Sequence, residues 1–579
     1  MPPNTPLFGV GMFIQQVKCN GVELIVMDYL MDTLSIYLKK LSIYLLVTFS
    51  ILAVYLVISR YLAPVEARSF WLPLGPGSSA IFLFEIPVVL ALLLITYFSK
   101  IENRVVRYTV PLIPILSLYI AFDIFYGFLR RSPRVSDMQN IHTILDFSPL
   151  MAFGAIVLGL FVPVSLLFLV WRSYNKYTPK IYILTMFLRM SALLVILLTI
   201  QTKSFAYYHA SVFNDIPWSQ ERVIKTNGKF SSYIFFSNRE KENIVTLKEY
   251  MSANIDIYPI LYPGSIPRAR NIHIIVLESF IDPRLIEYAQ FDKSPLSNDL
   301  TSYLLNNEYG FSHVISPAYG GGTAQAEFEL LTGLKAFAKV GSIEFNVMDG
   351  GKTSSFVNRL RQNNYTAIAT IATGSGFFNS NIAYRSLGFD HVYFLKENND
   401  FNKKDDDAMI FDGDVFDYNL SKIKHILKRD EPIINYVLGM YGHHPYDRNT
   451  KARPDVITSR HEDGRVERIS NQFYYRTKAL AKYIRNMLSI DSGSIIYITS
   501  DHLPSVLGDG VNYKFDSKTN ISLLINGGVP VDVSGKYYYE IPWLIWDVLT
   551  EKKNDRINNE KEMERLYFKV LAESISNSM

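Results

Sequence analysis

Five apolar stretches of membrane-spanning length crowd into the first 200 residues, at 41–59, 79–98, 108–128, 150–171 and 182–200. The first of them, from Leu41 to Ser59, carries no charged side chain. An α-helix needs roughly 17–25 such residues to cross hydrocarbon, and once there it must satisfy its backbone internally. These runs therefore predict a membrane domain of five transmembrane helices over residues 41–202. The rest of the chain must then fold in water, outside the bilayer. Glu85 in the second stretch and Asp123 in the third are costly at membrane depth. Such acids mark functional sites by default. The plainer alternative is that each lies near a helix end or pairs inside the bundle.

Orientation follows from the basic residues that flank the spans. Lys39 and Lys40 precede the first span. Lys100, Arg104 and Arg107 lie between the second and third, and Arg172, Lys176 and Lys180 between the fourth and fifth. The opposite loops hold Arg60, Arg68, Arg130, Arg131 and Arg134. The bias favours a cytoplasmic N-terminal segment over residues 1–40. These residues are not a clean signal peptide, because acids and Lys39–Lys40 precede the first span, and Met27 is an alternative start. Five spans put residues 203–579 outside the cytoplasm. A linker with interfacial helices is expected at 203–268, with Tyr207, Tyr208, Phe213 and Trp218 just past the last span, and a catalytic domain at 269–579. The only cysteine is Cys19, so that domain forms no disulfide and relies on its own core. The net charge of +4 is small for 579 residues and argues against a nucleic-acid partner.

The outer half alternates apolar β-branched runs with helical patterning, which predicts an α/β domain with a mainly parallel sheet. Strands are expected at 271–280, 366–371, 433–438, 494–499 and 521–525, with helices near 240–253, 353–364 and 468–489. In open α/β sheets ligands bind at the carboxyl ends of strands. Chemically capable residues fall at those ends. Glu278 closes the first run, His443 and His444 follow the third, and Asp501 and His502 follow the fourth. Between them Gly320, Gly321 and Gly322 run into Thr323, where helical spacing begins. A hydroxyl at a helix mouth, beside backbone that approaches a ligand closely, is placed to attack a phosphoryl group. The alternative is a glycine-rich turn with Thr323 as N-cap. Two acids and an imidazole around that hydroxyl describe a divalent-cation site that lowers its pKa. His443 is then a candidate acid for the leaving oxygen, with His444, Asp412 and Asp414 in reserve.

These residues resemble a known family. Leu277-Glu-Ser-Phe280, Gly321-Gly-Thr-Ala-Gln-Ala-Glu-Phe328, His443-His-Pro-Tyr446 and Ser500-Asp-His-Leu-Pro504 are similar to motifs of the lipoteichoic acid synthase-like phosphoglycerol transferases. That branch belongs to the sulfatase, or alkaline phosphatase-like, superfamily, and the resemblance covers nearly the whole chain. It implies that Glu278, Thr323, Asp501 and His502 bind one cation, manganese or magnesium first and zinc third. It implies that Thr323 carries the transferred phosphoglycerol and that His443 lies near the substrate. The implied donor is a phospholipid, phosphatidylglycerol foremost, and the acceptor a cell-envelope glycan or glycolipid. The implied location is a bacterial inner membrane with the catalytic domain periplasmic or extracellular. One stretch departs from the pattern. In Gly376-Phe-Phe-Asn-Ser-Asn381, Phe378 and Ser380 take the places of a tryptophan and an arginine that grip glycerol phosphate. The headgroup or acceptor therefore differs from the synthases, and a phosphoethanolamine transferase or a phosphodiesterase on the same scaffold stays open.

Overall fold

The computed structural model describes residues 198–576 apart from 341, 428–430 and 509, together with 80–96, 112–129, 132–134 and scattered positions between 35 and 50 and between 187 and 195. The chain divides into two compact units. One comprises Met1–Trp71, Val89–Leu118 and Leu158–Leu194, and the other Leu72–Val88, Tyr119–Val157 and Val195–Met579. The expected spans at 41–59, 150–171 and 182–200 lie largely outside the described residues. The second and third are partly described. A π-helical turn, Ile81–Glu85, leads into α1 (Ile86–Thr96), and α2 covers Ile113–Leu129. Among the described residues no helix is long and apolar enough to cross a membrane.

Within the second unit, Glu85 and Asp123 both find partners. Glu85 accepts from the Tyr119 hydroxyl at 2.6 Å and from the backbone N–H groups of Lys229 and Ser231 at 3.1 and 3.0 Å. It thereby caps the helix that begins at Lys229, an end that has no capping side chain of its own. The Lys229 ammonium stands 2.6 Å from the Asp123 carboxylate. The plainer of the two expectations for these acids is the one the geometry matches. Three helices make the connecting segment, α3 (Lys203–Val212), α4 (Gln220–Asn227) and α5 (Lys229–Ser252). Tyr207, Tyr208 and Trp218 are exposed there, whereas Phe213 is buried and stacks on Phe235 at 3.8 Å.

The domain expected at 269–579 is built on one eight-stranded sheet. Its strands are β1 (Ile272–Leu277), β2 (Ser312–Ile315), β3 (Thr366–Ile371), β4 (His391–Phe394), β5 (Ile433–Gly439), β6 (Ile495–Ser500), β7 (Thr519–Asn526) and β8 (Val529–Val531). The order is β2-β7-β6-β1-β5-β3-β4, with β8 on β7. Five strands, β6-β1-β5-β3-β4, run parallel, while β7 is antiparallel to β6 and pairs antiparallel with β2 and β8. The expected mainly parallel sheet is present, with an antiparallel edge. β1 is buried along its whole length, as a central parallel strand covered on both faces must be. Its register matters most. Leu277 at its end lies beside Gly439 of β5 and Ser500 of β6. The next residues of all three strands therefore emerge at one edge. Helices α6 (Thr323–Thr332), α7 (Phe356–Arg361), α8 (Ser380–Leu387), α9 (Asp412–Leu427), α10 (Gly464–Ile490), α11 (Glu540–Thr550) and α12 (Glu560–Ser576) cover the sheet. α9 lies against β5 and pairs with α10, while α5 packs along α12 and joins the connecting segment to the domain.

Candidate active site

Glu278 follows the last residue of β1, and Asp501 and His502 follow β6. All three are buried, and each offers one ligand atom within 4.8 Å of the others. Asp501 is the hub. Its Oδ1 accepts from the N–H groups of Ser279 and His502 at 2.8 and 2.7 Å, and its Oδ2 accepts from the Thr323 hydroxyl at 2.8 Å. Ser279 takes a left-handed backbone conformation to present that N–H and donates its hydroxyl to Glu278 Oε1 at 2.8 Å. His502 Nδ1 lies 3.0 Å from the Leu503 carbonyl. Donation there fixes the tautomer and leaves the Nε2 lone pair free. That atom is 3.3 Å from Asp501 Oδ2 and 3.6 Å from Glu278 Oε1.

The glycine run delivers Thr323 to this group. Gly320, Gly321 and Gly322 all have positive φ, and Gly320 N–H is bonded to the Leu503 carbonyl at 3.1 Å. Gly322 caps α6 without a side chain, so Thr323 is the first helical residue and not the N-cap. Its hydroxyl is spent on Asp501 rather than on the helix. This removes the turn-and-cap alternative for Thr323.

The electrostatics suit a cation. Burial, and then the Asp501 carboxylate, push Glu278 well above the usual carboxylate range, against the pull of His502 and Ser279. Burial lowers the His502 imidazole, but the charges of Asp501 and Glu278 outweigh it and raise the group overall. Two carboxylates this close hold a proton between themselves and the imidazole unless a metal ion takes its place. An acid, an acid, an imidazole nitrogen and a hydroxyl fit magnesium, manganese or zinc.

Two supporting groups, Arg476 and Glu327, were not singled out from the sequence. Arg476 on α10 is buried; its Nη2 donates to the Glu278 carbonyl at 2.9 Å and its Nε pairs with Asp412 at 2.6 Å. Asp412 is thus a brace behind Glu278, and Asp414 pairs with Lys404 at 2.9 Å. Neither reserve acid belongs to the cluster. Glu327, one helical turn after Thr323, is fully buried and accepts from the hydroxyls of Tyr384 and Tyr436. Burial first, with Asp501 adding, pushes its carboxyl up to about 7. The spacing of four from Thr323 was the one available hint.

His443 and His444 are exposed on the turn after β5. His443 Nδ1 is 2.8 Å from the His444 carbonyl, which leaves Nε2 free. This turn borders the glycine run, because the buried Tyr446 bonds Ser505 and Ser505 abuts Gly320. Phe378 and Ser380, the positions expected to meet the substrate along with His443 and His444, are both buried. Phe378 is buried against Phe377, and the buried Ser380 hydroxyl bonds the Phe377 carbonyl. Both serve the loop's own packing, and neither presents a free polar group.

A family model described as Sulfatase matches residues 270–563, the stretch that holds every residue of this cluster. The chain belongs to the sulfatase family. The sulfatase domain here has the alkaline phosphatase-like α/β architecture, and its buried Glu278, Asp501 and His502 are the group able to hold the metal on which that superfamily depends. A Rhizobium meliloti (strain 1021) protein named for cyclic beta-1,2-glucan modification is 23% identical over 393 residues, which are 63% of this chain and 57% of that one. The chain thus aligns with little more than half the length of that relative. Among solved structures, the lipoteichoic acid synthase LtaP from Listeria monocytogenes is similar at 17% identity and TM-score 0.41, over 54% of this chain and 79% of its own. The Streptococcus pyogenes phosphoglycerol transferase GacH, in complex with sn-glycerol-1-phosphate, is similar at 14% and 0.41, over 58% and 91%. The periplasmic domain of Escherichia coli EptC, in complex with zinc, is similar at 14% and 0.34, over 50% and 83%.

Proposed function

We propose that this sulfatase-family chain is a membrane-bound transferase that moves a phosphoglycerol or similar phospho-alcohol group from a phospholipid, through Thr323, to a cell-envelope glycan or glycolipid. The observation that carries the reading is the Thr323 hydroxyl held 2.8 Å from Asp501 inside a buried two-acid, one-imidazole cluster. When bound by Glu278, Asp501, His502 and Thr323, a divalent cation lowers the pKa of the hydroxyl and offsets charge on the phosphoryl group. Asp501 Oδ2 orients the Thr323 hydroxyl and receives its proton. The Thr323 oxygen forms a bond to phosphorus as the bond from phosphorus to the diacylglycerol oxygen breaks. His443, with a free Nε2, protonates that leaving oxygen. A glycan hydroxyl then attacks the phosphorus and gives its proton to His443, while the bond to the Thr323 oxygen breaks and that oxygen takes back the proton held by Asp501.

A multi-pass inner-membrane location with the catalytic domain outside fits a donor that cannot leave the bilayer. Arg134 supports that topology, since it follows the third predicted span and donates to the Asn346 carbonyl of the domain at 3.1 Å. The burial of Phe378 and Ser380 favours a headgroup other than phosphoglycerol as the second reading, with phosphoethanolamine first among them. The name of the Rhizobium relative makes a cyclic beta-1,2-glucan the first acceptor to try.

The test uses the full-length protein, manganese and a fluorescent phosphatidylglycerol. Diacylglycerol release should require Thr323, and mass spectrometry should find an adduct on it whose mass names the headgroup. Release by Thr323→Ala at the wild-type rate would refute the mechanism. Release with no adduct passed to any added glycan would turn the reading toward a phosphodiesterase.

A further inference from the structure

Glu327 is fully buried, and none of the steps written for Thr323 uses it. Its Oε1 accepts from the Tyr436 hydroxyl at 2.7 Å and from the Tyr384 hydroxyl. Its Oε2 is buried with no hydrogen-bond partner among the described residues. Both tyrosines are themselves fully buried. Three apolar side chains of similar shape would fill this space without an orphaned oxygen, and replacing a buried polar group together with its partners in that way is close to neutral or stabilising. Stability therefore does not account for the three polar groups.

Their placement does. Thr323 is the first residue of α6 and Glu327 lies one turn later. Helical side chains lean toward the N-terminus, so the Glu327 carboxyl lies along the turn that carries Thr323. Its two donors belong to different elements. Tyr436 is on β5, three residues before Gly439, whose carbonyl accepts the Glu278 N–H at 2.9 Å. Tyr384 is on α8. Directional bonds to two elements fix the rotation of α6 about its own axis. The buried residues nearest Thr323 on that helix, Ala324 and Ala326, offer little shape to lock it by packing. A rotation of about 15° would carry an oxygen roughly 4 Å from the axis by about 1 Å. A displacement of that size costs a reaction up to about a hundredfold. The bond from Thr323 to Asp501 does not hold the angle through the reaction, because it is given up as the oxygen bonds to phosphorus.

We propose that Glu327, held between Tyr384 and Tyr436, is a positioning residue that fixes the angle at which Thr323 faces the phosphoryl group. This role rests on Thr323 as the nucleophile of the transferase reading. The test compares Glu327→Gln, whose amide oxygen still accepts both hydroxyls, with an all-apolar triple variant that combines Glu327→Leu, Tyr384→Phe and Tyr436→Phe. The triple variant should melt with the wild type or above it, because no polar group is left orphaned. Its kcat for diacylglycerol release should nevertheless fall by about tenfold to a hundredfold, with KM for the lipid unchanged. Glu327→Gln should keep most of the wild-type rate. A second measurement needs neither metal nor donor. With Cys19→Ser and Thr323→Cys the full-length chain holds one thiol. Position 323 is only 3% exposed, so iodoacetamide should label that thiol slowly. Labelling should be as slow with Glu327→Gln added, and several-fold faster in the triple background, where the side chain is free to turn away from Asp501. The proposal is overturned if the triple variant melts far below wild type, if it releases diacylglycerol at the wild-type rate, if Glu327→Gln is as slow as the triple variant, or if the labelling rates do not differ. A wild-type protein that releases no diacylglycerol sinks the transferase reading, and melting and labelling alone then judge Glu327.

Discussion

Replacing Arg476 by methionine tests whether Asp412 braces Glu278 or belongs to the metal site. The two side chains are almost wholly buried, 3% and 0% exposed, and their closest approach is 2.6 Å. Without the guanidinium, Asp412 keeps only a long contact from the Tyr441 N–H at 3.4 Å, and the Glu278 carbonyl loses its 2.9 Å donor. Breaking a buried ion pair from one side costs about 3–5 kcal/mol, because the remaining charge stays desolvated. At about 2 °C of melting temperature per kcal/mol for a large domain, the drop is about 6–10 °C. Asp412→Leu should cost a similar amount. The double variant should cost less than the sum, with a coupling on the order of 2 kcal/mol, because no uncompensated charge is left. Differential scanning calorimetry of the four proteins measures the cycle, and manganese titration well below the melting range reads the effect on Glu278. Additive single effects, or an Arg476→Met protein that melts with the wild type, would refute the brace. So would an Asp412→Leu protein that melts normally yet binds no metal.

Two further outcomes are expected. Burial pushes the core histidine His273 down to about 4, and it sits between Asn435 and Ser494 on β1. Because its folded pKa lies below the unfolded value of about 6.5, its contribution is intact above 6.5 and is lost as pH falls toward 4, a loss of about 3 kcal/mol. Urea unfolding at pH 7 and pH 4 should show a shallower dependence in His273→Gln than in wild type, and equal slopes would dismiss the assignment. Gly322→Ala should damage activity more than stability. Gly322 has φ +86°, and a Cβ there would stand 3.1 Å from Gln325 Oε1 and 3.3 Å from Ala318 Cβ. The left-handed conformation costs alanine about 1 kcal/mol, but the displacement falls on Thr323. Gly535→Ala, with φ +78° and nothing within 4 Å, supplies the matched control. Similar diacylglycerol release from the two variants would show that the glycine run does not position the nucleophile.

Much of the domain was legible in the sequence because its signals are local. A buried parallel strand announces itself as an unbroken β-branched run, and the predicted 366–371 and 433–438 coincide with β3 and β5 to within one residue. The short strands β2, β4 and β8 escaped, since three or four residues carry too little periodicity to stand out. Glu278, Thr323, Asp501 and His502 could be named one by one, as strand-end or helix-mouth residues of the right chemistry. That they meet was decided by register: β1 sits between β5 and β6 with Leu277, Gly439 and Ser500 side by side, and pairing across hundreds of residues is not written in any one segment. Tertiary structure alone also separated the residues that cluster with Thr323 from those that stand behind them. Asp412 and Asp501 are both acids near strand or helix ends, and only the placement of Arg476 beside one and Thr323 beside the other distinguishes them. Phe378 and Ser380 show the same division, because a sequence states which side chains are available, and packing decides which of them face the solvent and which fill the core.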